Sequence, residues 1–217
     1  MMDQGASTHT ISASSNRQDV HRIGFWSAIL TTIWILVFDI AIGLGASGAP
    51  TRLVAVGASL LLTLSFVALM ASLHEYAAQE KRVWSQIGLS FAIVYAALLI
   101  WNYYLQLTVV NSNPQLYGWL TMAFTKETAF WSLESIGYTL MGLAAMFILP
   151  ILAKSRVELV ICWCFAINAV FSILGNLGYV VSGDPLNVLV LISLGVWAIA
   201  FPIGTALLAV VFQREYK

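Results

Sequence analysis

Residues 126–150 read KETAFWSLESIGYTLMGLAAMFILP. From Glu127 onward the stretch is long and apolar enough to cross a bilayer, yet it carries Glu134 well inside. A carboxylate at such depth costs at least about 2.5 kcal/mol on insertion scales, so it is seldom idle. Glu127, Trp131, Glu134, Tyr138 and Met141 follow at spacings of four, three, four and three, which places them on one helical face. The opposite side is Gly, Ala, Leu and Ile. The polar face is the candidate for the interior of a helical bundle.

The rest of the chain supplies the other helices of that bundle. Of its 217 residues, 60% are hydrophobic and only 9% charged, whereas a soluble domain needs about 25% charged residues to cover its surface. Apolar runs of transmembrane length replace the missing charge. They predict spans at about 24–48, 52–73, 83–110, 127–152, 157–181 and 186–212. The fold class is therefore an all-α integral membrane protein, a six-transmembrane-helix bundle. Residues 1–23 are polar and lack apolar periodicity, and they predict a flexible cytoplasmic tail. The first apolar run is too long for a signal peptide and contains Asp39, so it reads as a span.

Lys and Arg orient the bundle. Arg17, Arg22, Lys81, Arg82, Lys154, Arg156, Arg214 and Lys217 fall on the side of the N-terminus, and only Arg52 and Lys126 on the other. Eight against two is a strong positive-inside bias, so both termini are expected in the cytoplasm and the membrane is expected to be the plasma (inner) membrane. Trp26 and Trp84 at one set of ends, and Trp101, Trp119 and Trp131 at the other, fit interfacial belts. Trp34, Trp163 and Trp197 fall deeper and read as packing or pocket residues.

Several chemistries drop out. Net charge is zero and no basic run exceeds two residues, which argues against a nucleic-acid partner. Cys162 and Cys164 stand two apart in a helix, pointing to nearly opposite faces, and read as apolar filler. His9, His21 and His74 lie in the tail or at a helix end, so no bis-His haem site is predicted, and no P-loop, GxSxG or CxxC occurs. No metal and no cofactor is expected.

The polar residues within the spans collect in the half distant from the termini. Asp39 lies about two-thirds of the way across at a rise of ~1.5 Å per residue. Asn102 and Gln106 share a face of the third helix. Asn168, Ser172, Asn176 and Tyr179 share one of the fifth, running from mid-membrane outward. Asn and Gln often serve as glue between membrane helices, worth ~0.6 kcal/mol on average, and that reading stays open for Asn168, Asn102 and Gln106. Glu134 and Asp39 differ, because no Lys or Arg lies at their depth; each must keep its proton or be satisfied by neighbouring donors. The candidates for ligand binding or proton exchange are Glu134, Asp39, Asn102, Gln106, Asn176, Tyr138 and Asn168, with Tyr103 and Tyr179 adding to the aromatic lining. Residues 111–126 show helical spacing after Pro114 and predict an interfacial segment able to cover the site.

The pattern predicts a polar cavity open to the outer face that binds a small, mostly apolar ligand or lipid, with Glu134 and Asp39 orienting its polar group. Three rivals use the same residues. A membrane-embedded enzyme acting on a lipid or isoprenoid would use the carboxyls as acid and base. A proton-coupled transporter needs them reachable from both sides, against which the polar-poor inner half counts. An accessory subunit of a membrane complex needs them only as glue.

Overall fold

The structure, a computed structural model, describes residues 5–44, 49–110, 112, 129–152 and 155–216. Six long helices account for most of them: α1 Gly5–Gly43, α2 Ala49–Tyr76, α3 Arg82–Leu105, α4 Ala129–Phe147, α5 Arg156–Ser182 and α6 Val188–Tyr216. No strand occurs among the described residues. All six contain a stretch long and apolar enough to cross a membrane, the make-up of a multi-pass membrane protein.

The helix ends follow from local chemistry. Pro50 sits in the first turn of α2, where a missing N–H costs nothing. Pro150 closes the α4 segment in a 3₁₀ turn, Leu149–Ile151. Ser155 caps α5 reciprocally: its backbone N–H donates to Glu158 Oε2 at 2.7 Å, and Glu158 N–H donates to Ser155 Oγ at 3.3 Å. Gly183 ends α5 with φ of 62°, the left-handed turn that glycine adopts without steric cost. Asn187 then opens α6 by accepting from the Leu189 N–H at 2.9 Å.

Each helix packs on its neighbours in the chain, and α6 returns to pack on α1, so the six form a closed ring in sequence order. α1 and α4 thus stand on opposite sides. Outward-facing Leu36, Val54, Ile93, Trp163 and Val180 leave an apolar exterior suited to lipid. With no hydrophobic drive between helices in lipid, close packing must hold them together. Glycines allow it: a Cβ on Gly175 would meet Ser193 Cβ at 2.5 Å, and one on Gly88 would meet the Ala144 carbonyl at 2.9 Å. Aromatic rings fill the middle of the ring. Phe66 lies against Tyr95 and Phe201, with centroids 5.6 Å apart in both pairs, and Phe201 lies 5.3 Å from Phe165.

The helical backbone of α1 begins at Gly5, ahead of its apolar run, and His21 is buried against Tyr76 and Phe212. Two expectations change. Trp163 is 63% exposed and faces the outside of the ring, because it lies on the face of α5 opposite Phe165 and Asn168. The buried arc of α4 is wider than the polar face alone and includes Phe130, Gly137, Ala144 and Ala145. The interfacial segment 111–126 and Glu127 lie outside the described residues apart from Ser112, which is exposed.

Candidate functional site

Glu134 lies 3% exposed, in the second turn of α4 from its described start. A carboxyl so placed must find donors within the protein. The side-chain amides of Asn102 and Gln106 supply them, donating to Glu134 Oε1 at 3.4 and 3.3 Å. Both come from α3 and its continuation. Asn102 sits in the last turn of α3, and Gln106 begins a π-helical segment, Gln106–Val110. The wider turn is the kind of irregularity that recurs at functional sites. Gln106 Nε2 also donates to Asn102 Oδ1 at 3.4 Å, which ties the two amides together. No hydrogen bond among the described residues reaches Glu134 Oε2. One oxygen is held and the other is left for a further donor.

One turn deeper, Tyr138 and Tyr103 meet hydroxyl to hydroxyl at 3.4 Å. Tyr138 packs edge-on against Trp197, with centroids 5.0 Å apart, and Trp197 in turn against Phe38, at 5.7 Å. This chain of rings crosses the bundle from α4 through α6 to α1, and Phe38 is the chain neighbour of Asp39. Asp39 is half-buried and makes no hydrogen bond to Glu134. That ring chain links the α1 segment carrying Asp39 to the tyrosine one turn from Glu134.

A cleft of about 30 Å³ opens beside Glu134, between α4, α5 and α6. It is lined by Trp131, Glu134, Ser135, Tyr138, Asn176 and Ser193 among others. That volume has room for two or three water molecules, since a water needs roughly 10–15 Å³ by this measure. Of the residues singled out from the sequence, Glu134, Tyr138 and Asn176 line the cleft. Asn102 and Gln106 stand behind Glu134, Asp39 lies on α1 and does not line the cleft, and Asn168 lies deeper on α5.

The hydroxyls of α4 are what sequence reasoning missed. Ser132 pairs with the Tyr179 hydroxyl at 3.0 Å, Ser135 donates to Asn176 Oδ1 at 2.7 Å, and Thr139 donates to the Ser172 carbonyl at 3.3 Å. Their spacing of three and four matches the α5 face of Asn168, Ser172, Asn176 and Tyr179, and that match was the available signal. Serine and threonine are common in membrane helices, which is why it is weak. Among the described residues, no group of His, Cys, Asp and Glu stands ready to hold a metal ion. No protein-family model, no curated protein and no solved structure matches this chain.

Proposed function

We propose that this multi-pass membrane protein binds a small amphiphile, a lipid or a mostly apolar molecule with one hydrogen-bonding head, beside Glu134. The observation that carries the reading is the division of labour at that carboxyl. Oε1 is held by two amides, while Oε2 has no hydrogen bond among the described residues and the side chain borders the cleft. A pre-positioned acceptor or donor in an apolar, aromatic surround is how ligand sites fix orientation. The cleft admits a head group, and the apolar body lies along the helices. Asp39 adds a second carboxyl on α1, next in the chain to Phe38, whose ring joins the Trp197–Tyr138 stack.

The orientation belongs to this reading. The eight-to-two bias of Lys and Arg supports termini in the cytoplasm of a plasma (inner) membrane, with the cleft toward the outer face. The aromatic layer of Phe66, Tyr95, Phe165 and Phe201 fills the middle of the bundle, which favours binding over a continuous path across it. Lipid is the main partner in this view, and a membrane-complex partner is compatible with it.

The test is retention of bound lipid or small molecule by purified protein, read by native mass spectrometry. Glu134→Gln preserves size and one acceptor oxygen, and it is expected to fold and yet lose the bound species. Retention at the wild-type level by a folded Glu134→Gln variant would overturn the reading in favour of a structural role.

A further inference from the structure

Below the cleft, the same face of α5 carries a polar side chain without a partner. Asn168 is 0% exposed, and neither its Oδ1 nor its Nδ2 has a hydrogen-bond partner within the protein. It stands four, seven and eight residues before Ser172, Gly175 and Asn176, all three of which line the cleft, so it continues the cleft-lining face one turn inward. A second buried group points to the same need. Trp197, 3% exposed, has no partner for its Nε1, and its ring packs on Tyr138, which also lines the cleft.

The register of α5 on α6 relates the two. Gly175 lies against Ser193, Gly178 against Leu189, and Phe165 against Gly204. Trp197 therefore stands at the level of Ser172, one turn out from Asn168. Buried polar groups in folded proteins find a protein partner or an ordered water, and an amide with donor and acceptor both free suits water.

The seam between α4 and α5 leads to this place. Ser132 with Tyr179, Ser135 with Asn176, and Thr139 with Ser172 form successive polar rungs. Burial deepens along it, from exposed Ser132 through half-buried Ser135 and Asn176 to buried Thr139, Ser172 and Asn168. Ser172 closes the series by donating to the Asn168 carbonyl at 2.8 Å.

We propose that the α4–α5 seam is a hydrated inlet, in which water enters at the end where α4 begins, fills the cleft beside Glu134 and hydrogen-bonds Asn168 at its inner end. The inlet supplies Glu134 with exchangeable protons from one side of the membrane only. This inference rests on the placement of the Glu134 site given above, while its test reads water access and not ligand retention.

The experiment places single cysteines in full-length protein lacking Cys162 and Cys164, purified into lipid nanodiscs. A small water-soluble methanethiosulfonate is the probe, since thiolate is the reacting form and an apolar surround suppresses it. Ser135→Cys, Ser172→Cys and Asn168→Cys are expected to react, at rates at least about tenfold above Val170→Cys and Ile167→Cys, which face outward at the depth of Ser172 and Asn168. Ser172→Cys is nearly isosteric and decides the matter should Asn168→Cys fail to fold. Reaction of Ser172→Cys no faster than Val170→Cys overturns the inlet. The ligand reading would be untouched by that result, just as reactive inlet cysteines beside an unchanged Glu134→Gln ligand profile would remove the ligand reading alone.

Discussion

Gln106 donates through Nε2 to Glu134 Oε1 at 3.3 Å, from the first position of the π-helical segment that continues α3. Asn102, one turn earlier, reaches the same oxygen. Two amides on a single acceptor oxygen make Glu134 both the hub of a buried network and its exposed weakness. Buried networks of this kind stabilise only while every member is satisfied.

That arrangement separates two substitutions at one position. Glu134→Gln retains a carbonyl oxygen able to accept from both amides, so its melting temperature in detergent is expected to stay near that of the wild type. Glu134→Leu leaves the Asn102 amide without its acceptor and removes one of the two for Gln106. An unsatisfied buried donor costs about 1–3 kcal/mol, so this variant should be the less stable of the two by an amount in that range. Equal thermal stability of the Gln and Leu variants would mean that the network does not hold α3 to α4.

Glycines that look alike in the sequence are expected to respond oppositely. Gly175 has no room for a Cβ, because Ser193 Cβ stands 2.5 Å from where it would lie. Gly175→Ala must push α6 away from α5, an overpacking cost of about 1–3 kcal/mol. Gly57, inside α2, has no heavy atom within 4 Å of the same point, and Gly57→Ala should be neutral or mildly stabilising. Thermal unfolding in detergent of the two single variants reads the contrast directly. A Gly175→Ala variant as stable as Gly57→Ala would contradict the close packing of α5 on α6.

Orientation is tested by chemistry at the loops. In a background lacking Cys162 and Cys164, cysteines at Ser15, Lys154 and Lys217 are expected to be shielded from an impermeant thiol reagent in intact cells, and one at Ser112 to react. Labelling at Lys217 with Ser112 shielded would invert the bundle and open the cleft to the cytoplasm.

What the sequence made legible was what lipid enforces. A span needs apolar length, and an intramembrane polar residue is rare enough to be noticed, so the six helices and the Asn102, Gln106 and Glu134 faces could be read before any coordinates. The closing contact of α6 on α1 could not, because apolar residues surround both helices and carry no periodic signal of a partner. The π-helical segment at Gln106 has no composition of its own. The seam hydroxyls Ser132, Ser135 and Thr139 were hidden by their ordinariness, since a helical hydroxyl can donate to a carbonyl of its own helix, as Thr139 does to the Ser135 carbonyl at 2.9 Å.

Asp39 gives the sharpest contrast with Glu134. It is half-buried on α1, near the end where α4 begins, and no hydrogen bond to it occurs among the described residues. Sequence reasoning alone would rank Asp39→Leu below Asp39→Asn, because hydrogen-bond partners would be left unsatisfied; among the described residues it has no such partners to lose. Removing an acid without a partner also lifts the cost of holding it at membrane depth, about 2.5–3.5 kcal/mol at a helix centre and less toward an end. Asp39→Leu is therefore expected to melt at or above the wild-type temperature in detergent, with Asp39→Asn between the two. A residue kept at the expense of stability is the signature of a functional site, so the same Leu variant should hold its bound amphiphile less well. Two assays on one variant decide the point: thermal unfolding, and native mass spectrometry of the retained species. A variant that melts below wild type would show Asp39 to be structural, and one that melts higher while retaining the ligand fully would remove Asp39 from the site.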